Sequence, residues 1–80
     1  MGGQMAADRA QQRLAALGAN ITRLREAANE TKSATSRATG IDRIFLTGVE
    51  AGQRNISIAK LFDIADHFGV APATLLSGIS

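Results

Sequence analysis

DRIFLTGVEAGQRN, residues 42–55, is the stretch on which the fold of this 80-residue chain turns. Asp42 suits the cap of a short helix, because its carboxylate can accept from the first free backbone N–H groups. Gly52 suits the far end, where a left-handed residue closes a helix. Arginines stand at the first turn (Arg43) and just past the end (Arg54), with little negative charge between them. Gly40 and Ile41 lead in, and Ser57, a second capping residue, follows. A short helix set between turns, with cations at both ends, has the form and charge to enter the major groove of DNA.

Further helices are predicted on either side. Downstream, Ser57 caps a helix whose Ile58, Leu61, Ile64, Ala65 and Phe68 fall on one apolar face, and Gly69 stops it. Pro72 fits the first position of a last helix reaching about Ser77. Upstream, Thr31 caps a helix over residues 32–39 that ends at Gly40. Before Asn29 and Glu30, the residues Leu14, Leu17, Ile21, Leu24 and Ala28 recur at helical steps and predict a first helix beginning near Ala6. Gly18 is a cost of roughly 1 kcal/mol to that helix. Residues 1–5 read as a disordered or artificially added start, and residues 6–80 as one domain. No stretch has the alternation of a strand. The expected fold is all-α, with five helices and a helix-turn-helix at the second and third.

Composition narrows the function classes. There is no cysteine and a single histidine, His67, so neither a disulfide framework nor a metal site is expected. No paired histidines, phosphate-cradling loop or catalytically spaced carboxylates stand out, so the chain reads as neither an enzyme nor the holder of a cofactor or small-molecule ligand. No apolar run reaches the roughly 20 residues of a membrane span, and no signal segment is evident. The expected location is the cytoplasm, in association with the nucleoid of a prokaryote or phage. The net charge is only +2, but its distribution is informative. Residues 32–60 hold five lysines and arginines against Asp42 and Glu50, whereas the segment after Lys60 carries Asp63 and Asp66 and no lysine or arginine.

Several spaced features resemble the Cro/repressor-type (Xre-like) helix-turn-helix family over about residues 17–76. They are NITRLREAA in the first helix, the turn GID, the VEAG after the third helix, and IAKLFDIADHFGVAPATLL. Within that family, DRIFLTGVEAGQRNISI is most similar to the controller proteins of restriction–modification systems. These share an Asp-Arg opening, a glycine before a hydrophobic-Glu pair, and Gly-x-Arg-Asn. The resemblance implies a five-helix, lambda-repressor-like DNA-binding domain and a sequence-specific transcriptional regulator of double-stranded DNA.

On this reading Arg43 is the base reader, because a guanidinium can pair with guanine O6 and N7; a solvated arginine paired with Asp42 is the alternative. Ile44 and Phe45 stand where controller proteins tend to carry a hydroxyl and a tyrosine. They are candidate base contacts through thymine methyl groups, or else a surface for another protein. Lys32, Gln53, Arg54 and Asn55 are candidate phosphate contacts, Lys32 at the place where the family carries a glutamine. The resemblance pairs Glu50 with Arg25 in a partly buried salt bridge that fixes helix three against helix one. It also exposes departures: Thr35 and Glu30 occupy positions where the family carries apolar anchors for the second helix, leaving that helix only Ala34, Thr35 and Ala38 to turn inward.

A domain this small reads few base pairs alone, so a homodimer on a (pseudo)palindromic operator is expected. Phe62, Leu75 and Ile79 are candidates for the two-fold interface, with His67 near its rim. An antitoxin or other protein-interaction module on the same scaffold is the alternative function.

Overall fold

The computed structural model describes residues 2–80, with side chains from Met5 onward. Met1, in the expected disordered start, lies outside the described residues. Helices follow in the order α1 (Gly2–Ala27), α2 (Lys32–Thr39), α3 (Arg43–Glu50), α4 (Ile58–Phe68) and α5 (Pro72–Leu75), with no strand among the described residues. The all-α, five-helix expectation holds. Two ends differ from it. The first helix starts at Gly2 rather than near Ala6, and α5 ends at Leu75, the chain continuing as turns instead of helix to Ser77.

The caps act where the sequence places them. Thr31 accepts from the Ala34 amide at 3.0 Å, Asp42 from Phe45 at 3.1 Å and Ser57 from Lys60 at 3.1 Å. Each such cap stabilises its helix by about 1 kcal/mol. Gly40 and Gly69 close α2 and α4 in the left-handed conformation.

The first helix packs on α3 and α5, α4 on α5 and α2, and α2 on α3. Leu17, Ile21, Ile41, Leu46, Val49, Leu61, Ile64, Ala65 and Leu75 form the buried core. Gly18 has a use that its helix propensity hides. A Cβ there would stand 2.4 Å from the Glu50 carbonyl oxygen and 2.5 Å from that of Val49. The missing side chain lets the backbones of α1 and α3 touch. Gly52 makes a second crossing, at a φ of +75°, where a Cβ would lie 2.8 Å from Ala15 Cα.

Burial corrects two expectations. Leu75 is 0 % exposed and belongs to the core, so it has no surface to offer a second protomer. Its place is fixed by Asn20, a buried polar residue of α1 whose Nδ2 donates to the Leu75 carbonyl at 2.8 Å and the Ser77 carbonyl at 3.1 Å. Ile58, expected on the apolar face of α4, is exposed, because it stands at the first position of the helix.

His67 is half-buried and packs toward the connection between α1 and α2. Its Nε2 lies 2.7 and 3.0 Å from the two carboxylate oxygens of Glu30, and Thr35 Oγ1 donates to Glu30 Oε1 at 2.7 Å. Facing a carboxylate, Nε2 carries its hydrogen. The bonds from His67 and Thr35 hold the Glu30 carboxyl below the usual range. Thr35 is fully buried. The two departures from apolar anchoring are therefore one polar cluster, which ties α2 to α4 through the connection after α1.

Candidate nucleic-acid interface

The third helix is two-faced. Leu46 and Val49 are buried and Phe45 is half-buried against the core. On the opposite side Arg43, Ile44, Thr47 and Ala51 are exposed, as the spacing of i, i+1, i+4 and i+8 on a 3.6-residue helix requires. Ile44 is 74 % exposed. Phe45, one residue on, follows Val49 four residues later toward the core. This corrects its assignment as a base contact. Its ring is covered instead by Lys60, whose Nζ lies 4.4 Å from the ring centroid.

Glu50 is kept off the outer face by a dense set of bonds. Arg25 Nε donates to its Oε2 at 2.8 Å, Arg25 Nη2 to its Oε1 at 3.0 Å, and Thr22 Oγ1 to Oε1 at 2.8 Å. Arg25 Nη1 also donates to the Glu30 carbonyl at 2.8 Å. The Arg25 and Glu50 side chains are only 11 % and 5 % exposed. The hydrogen bond to Glu50 raises the Arg25 pKa above its ordinary value, so the guanidinium charge is held firmly. The acid on the candidate reading helix is thus neutralised from behind, and α3 is fixed against α1.

The loop after α3 carries Gln53, Arg54 and Asn55, all exposed. The Gln53 amide donates to the Gly48 carbonyl at 2.8 Å, which turns the chain tightly as the helix ends. A Cβ on Gly48 would stand 2.5 Å from Arg54 Cγ, so the stem of Arg54 crosses the helix where a side chain is missing. Arg54 and the outer face of α3 thereby form one surface. Lys32, the first residue of α2, is half-buried.

Sequence reasoning missed three participants. Lys60 counted toward the basic segment, but its place beside α3 was not foreseen because it depends on the packing of α4. Thr22 is a third partner of the buried ion pair, and nothing in its own neighbourhood marks it. The Glu30–Thr35–His67 cluster did leave a signal, in the polar residues standing at apolar positions. Among the described residues, no group of three or more acidic, histidine or cysteine residues could hold a metal ion, and no helix is long and apolar enough to cross a membrane.

Residues 21–75, the span from the core isoleucine of α1 to the end of α5, match the helix-turn-helix family HTH_3. The chain belongs to the helix-turn-helix family. Members of this Xre-like family are DNA-binding transcription regulators, and the chain is one of them. Its structure is similar to that of the restriction-modification controller protein C.AhdI from Aeromonas hydrophila. The two are 31 % identical, with a TM-score of 0.75 over 78 % of this chain and 94 % of that one. It is also similar to the hypothetical transcription factor NHTF from Neisseria, at 28 % identity and a TM-score of 0.78, covering 84 % of this chain and 75 % of that one. An HTH_3 family transcriptional regulator from Vibrio cholerae shares the fold, at 20 % identity and a TM-score of 0.79. The match spans 85 % of this helix-turn-helix chain and 38 % of that protein. No curated protein sequence matches the chain.

Proposed function

We propose that this regulator is a homodimer that reads a (pseudo)palindromic operator through α3 and acts as a controller protein, within the cytoplasm. The observation that carries the reading is the outer face of α3. It presents Arg43 and Ile44 to solvent, joins them to Arg54, and buries its only acid behind the helix. Arg43 reads a base edge, while Arg54, Gln53, Asn55 and Lys32 hold phosphates, which position the protein without specifying sequence. Lys60 adds a cation beside the first turn of α3. The 31 % identity to C.AhdI supports the controller role.

The dimer is assigned to α4 and the C-terminal segment. Ile58 and Phe62, one turn apart on α4, are exposed together with Leu76, and Ile79 is half-buried. Such apolar surface is covered by a second protomer. Phe62→Asp is expected to give monomers in sedimentation at concentrations where the unsubstituted chain is dimeric.

Two arginine variants test DNA reading. Arg43→Ala is expected to relax sequence preference at one base position by about 1–3 kcal/mol. Arg54→Ala is expected to weaken specific and non-specific DNA alike, and to make the dependence of log affinity on log salt shallower by about one phosphate's worth. If both folded variants bind DNA as the unsubstituted chain does, α3 is not the reader. The 74 % exposure of Ile44 then favours a protein partner, as in an antitoxin.

A further inference from the structure

Apart from Arg43, the outward face of α3 is hydrocarbon. Ile44 is an apolar side chain with three quarters of its surface in water, and Ala51 is an exposed methyl group. Thr47 completes the face, lying four residues from Arg43 and three from Ile44. Its Oγ1 donates to the Arg43 carbonyl at 2.9 Å. A hydroxyl has one hydrogen, so Thr47 has none left to give to a base, and its methyl group becomes its distinctive offering. Phe45 faces the core and takes no part.

Resting on the proposed reading role of α3, we infer that Ile44 and Thr47 form a methyl-reading surface. It selects pyrimidines that carry a 5-methyl group close to the guanine recognised by Arg43. The major groove offers one apolar group, the C5-methyl, and apolar side chains or threonine methyls are the chemistry that meets it. Neighbouring side chains on one helix face have Cβ atoms about 5–6 Å apart, and successive base pairs rise by about 3.4 Å. Guanine and methylated pyrimidine therefore fall within two base-pair steps of each other. Cytosine without a methyl offers this face its N4 donor, which only the Thr47 oxygen on the face can accept, whereas Ile44 has no acceptor for it and gains contact only from a methyl. The shared chemistry is the 5-methyl group, whose source is thymine or 5-methylcytosine.

The test begins with duplexes enriched by the intact protein from a randomised pool. Each thymine is replaced in turn by uracil, which deletes only the methyl, and each cytosine by 5-methylcytosine; affinities are read by fluorescence anisotropy. Loss of one buried methyl-sized group is expected to weaken binding about fourfold, at one or two thymines per half-site. Ile44→Ala is expected to remove the sensitivity at one of those positions. Thr47→Ser, which keeps the hydroxyl bond to Arg43 and deletes the methyl, removes it at another.

Loss with uracil together with gain from 5-methylcytosine supports reading of the methyl from either source. Loss with uracil alone supports the proposal with thymine as the source. Uracil tolerated at every position, in a protein whose Arg43→Ala variant has lost selectivity, overturns methyl reading and leaves DNA reading intact. A pool without enrichment, and no effect of Arg43→Ala, overturns both.

Discussion

Replacing Arg25 with alanine removes three hydrogen bonds at once, two to the Glu50 carboxylate and one to the Glu30 carbonyl. What remains is a carboxylate that is 5 % exposed in the intact pair, bonded among the described side chains to the Thr22 hydroxyl. Both side chains are far too enclosed for solvent to screen the loss, unlike a surface pair, whose median worth is about 0–1 kcal/mol. Breaking one side of such a pair costs about 3–5 kcal/mol. A domain of this size has about 5–15 kcal/mol of stability in all. With a Tm shift of about 4–8 °C for each kcal/mol, the variant is expected to melt at least 12 °C or so lower. The chain has neither tryptophan nor tyrosine, so far-UV circular dichroism during urea and thermal unfolding is the appropriate probe. The double variant Arg25→Met, Glu50→Leu should recover most of the loss, since an apolar pair of similar volume leaves no buried charge unpaired. An Arg25→Ala variant within about 1 kcal/mol of the unsubstituted chain would refute the reasoning, because Glu50 would then have access to water.

Gly18→Ala should destabilise the fold even though alanine is the better helix former by about 1 kcal/mol. The new Cβ meets two backbone carbonyl oxygens of α3 that no rotamer change can move, and overpacking of that kind costs about 1–3 kcal/mol or more. A raised Tm would show that the two helices separate freely. Glu30→Gln should lower stability at neutral pH and flatten its dependence in acid. The folded-state pKa of Glu30 is depressed, so its contribution is complete above the ordinary carboxylate pKa and is lost as pH falls through the lower, folded value. Equal acid sensitivity of the two proteins in circular dichroism melts between neutrality and pH 3 or so would contradict that account.

Local chemistry wrote the helices plainly into the sequence. Thr31, Asp42 and Ser57 cap through their own side chains, Gly40 and Gly69 close through backbone freedom, and the apolar spacing of Leu17 and Ile21 needs nothing beyond the helix itself. These signals act within a turn or two, so they survive without a tertiary structure. Arg43 and Ile44 were legible as an outer face for the same reason. The resemblance to the helix-turn-helix family placed Arg25 opposite Glu50, which no local rule could do, as 25 residues separate them.

Tertiary packing alone decided which of several apolar residues face the core. Periodicity treats Leu75 and Leu76 alike as neighbours at a helix end, yet one is fully buried and the other 49 % exposed, because Asn20 of α1 holds the backbone there. Phe45 and Ile44 are adjacent hydrocarbons in the sequence. Only the presence of the core on one side of α3 and Lys60 over the ring separates an inward side chain from an outward one. Gly18 reads as a local liability until α3 is laid against it, and Glu30, Thr35 and His67 read as three unrelated polar residues until α2 and α4 meet. In each case the energy lies in a contact between segments far apart in the chain, and no window of sequence contains both partners.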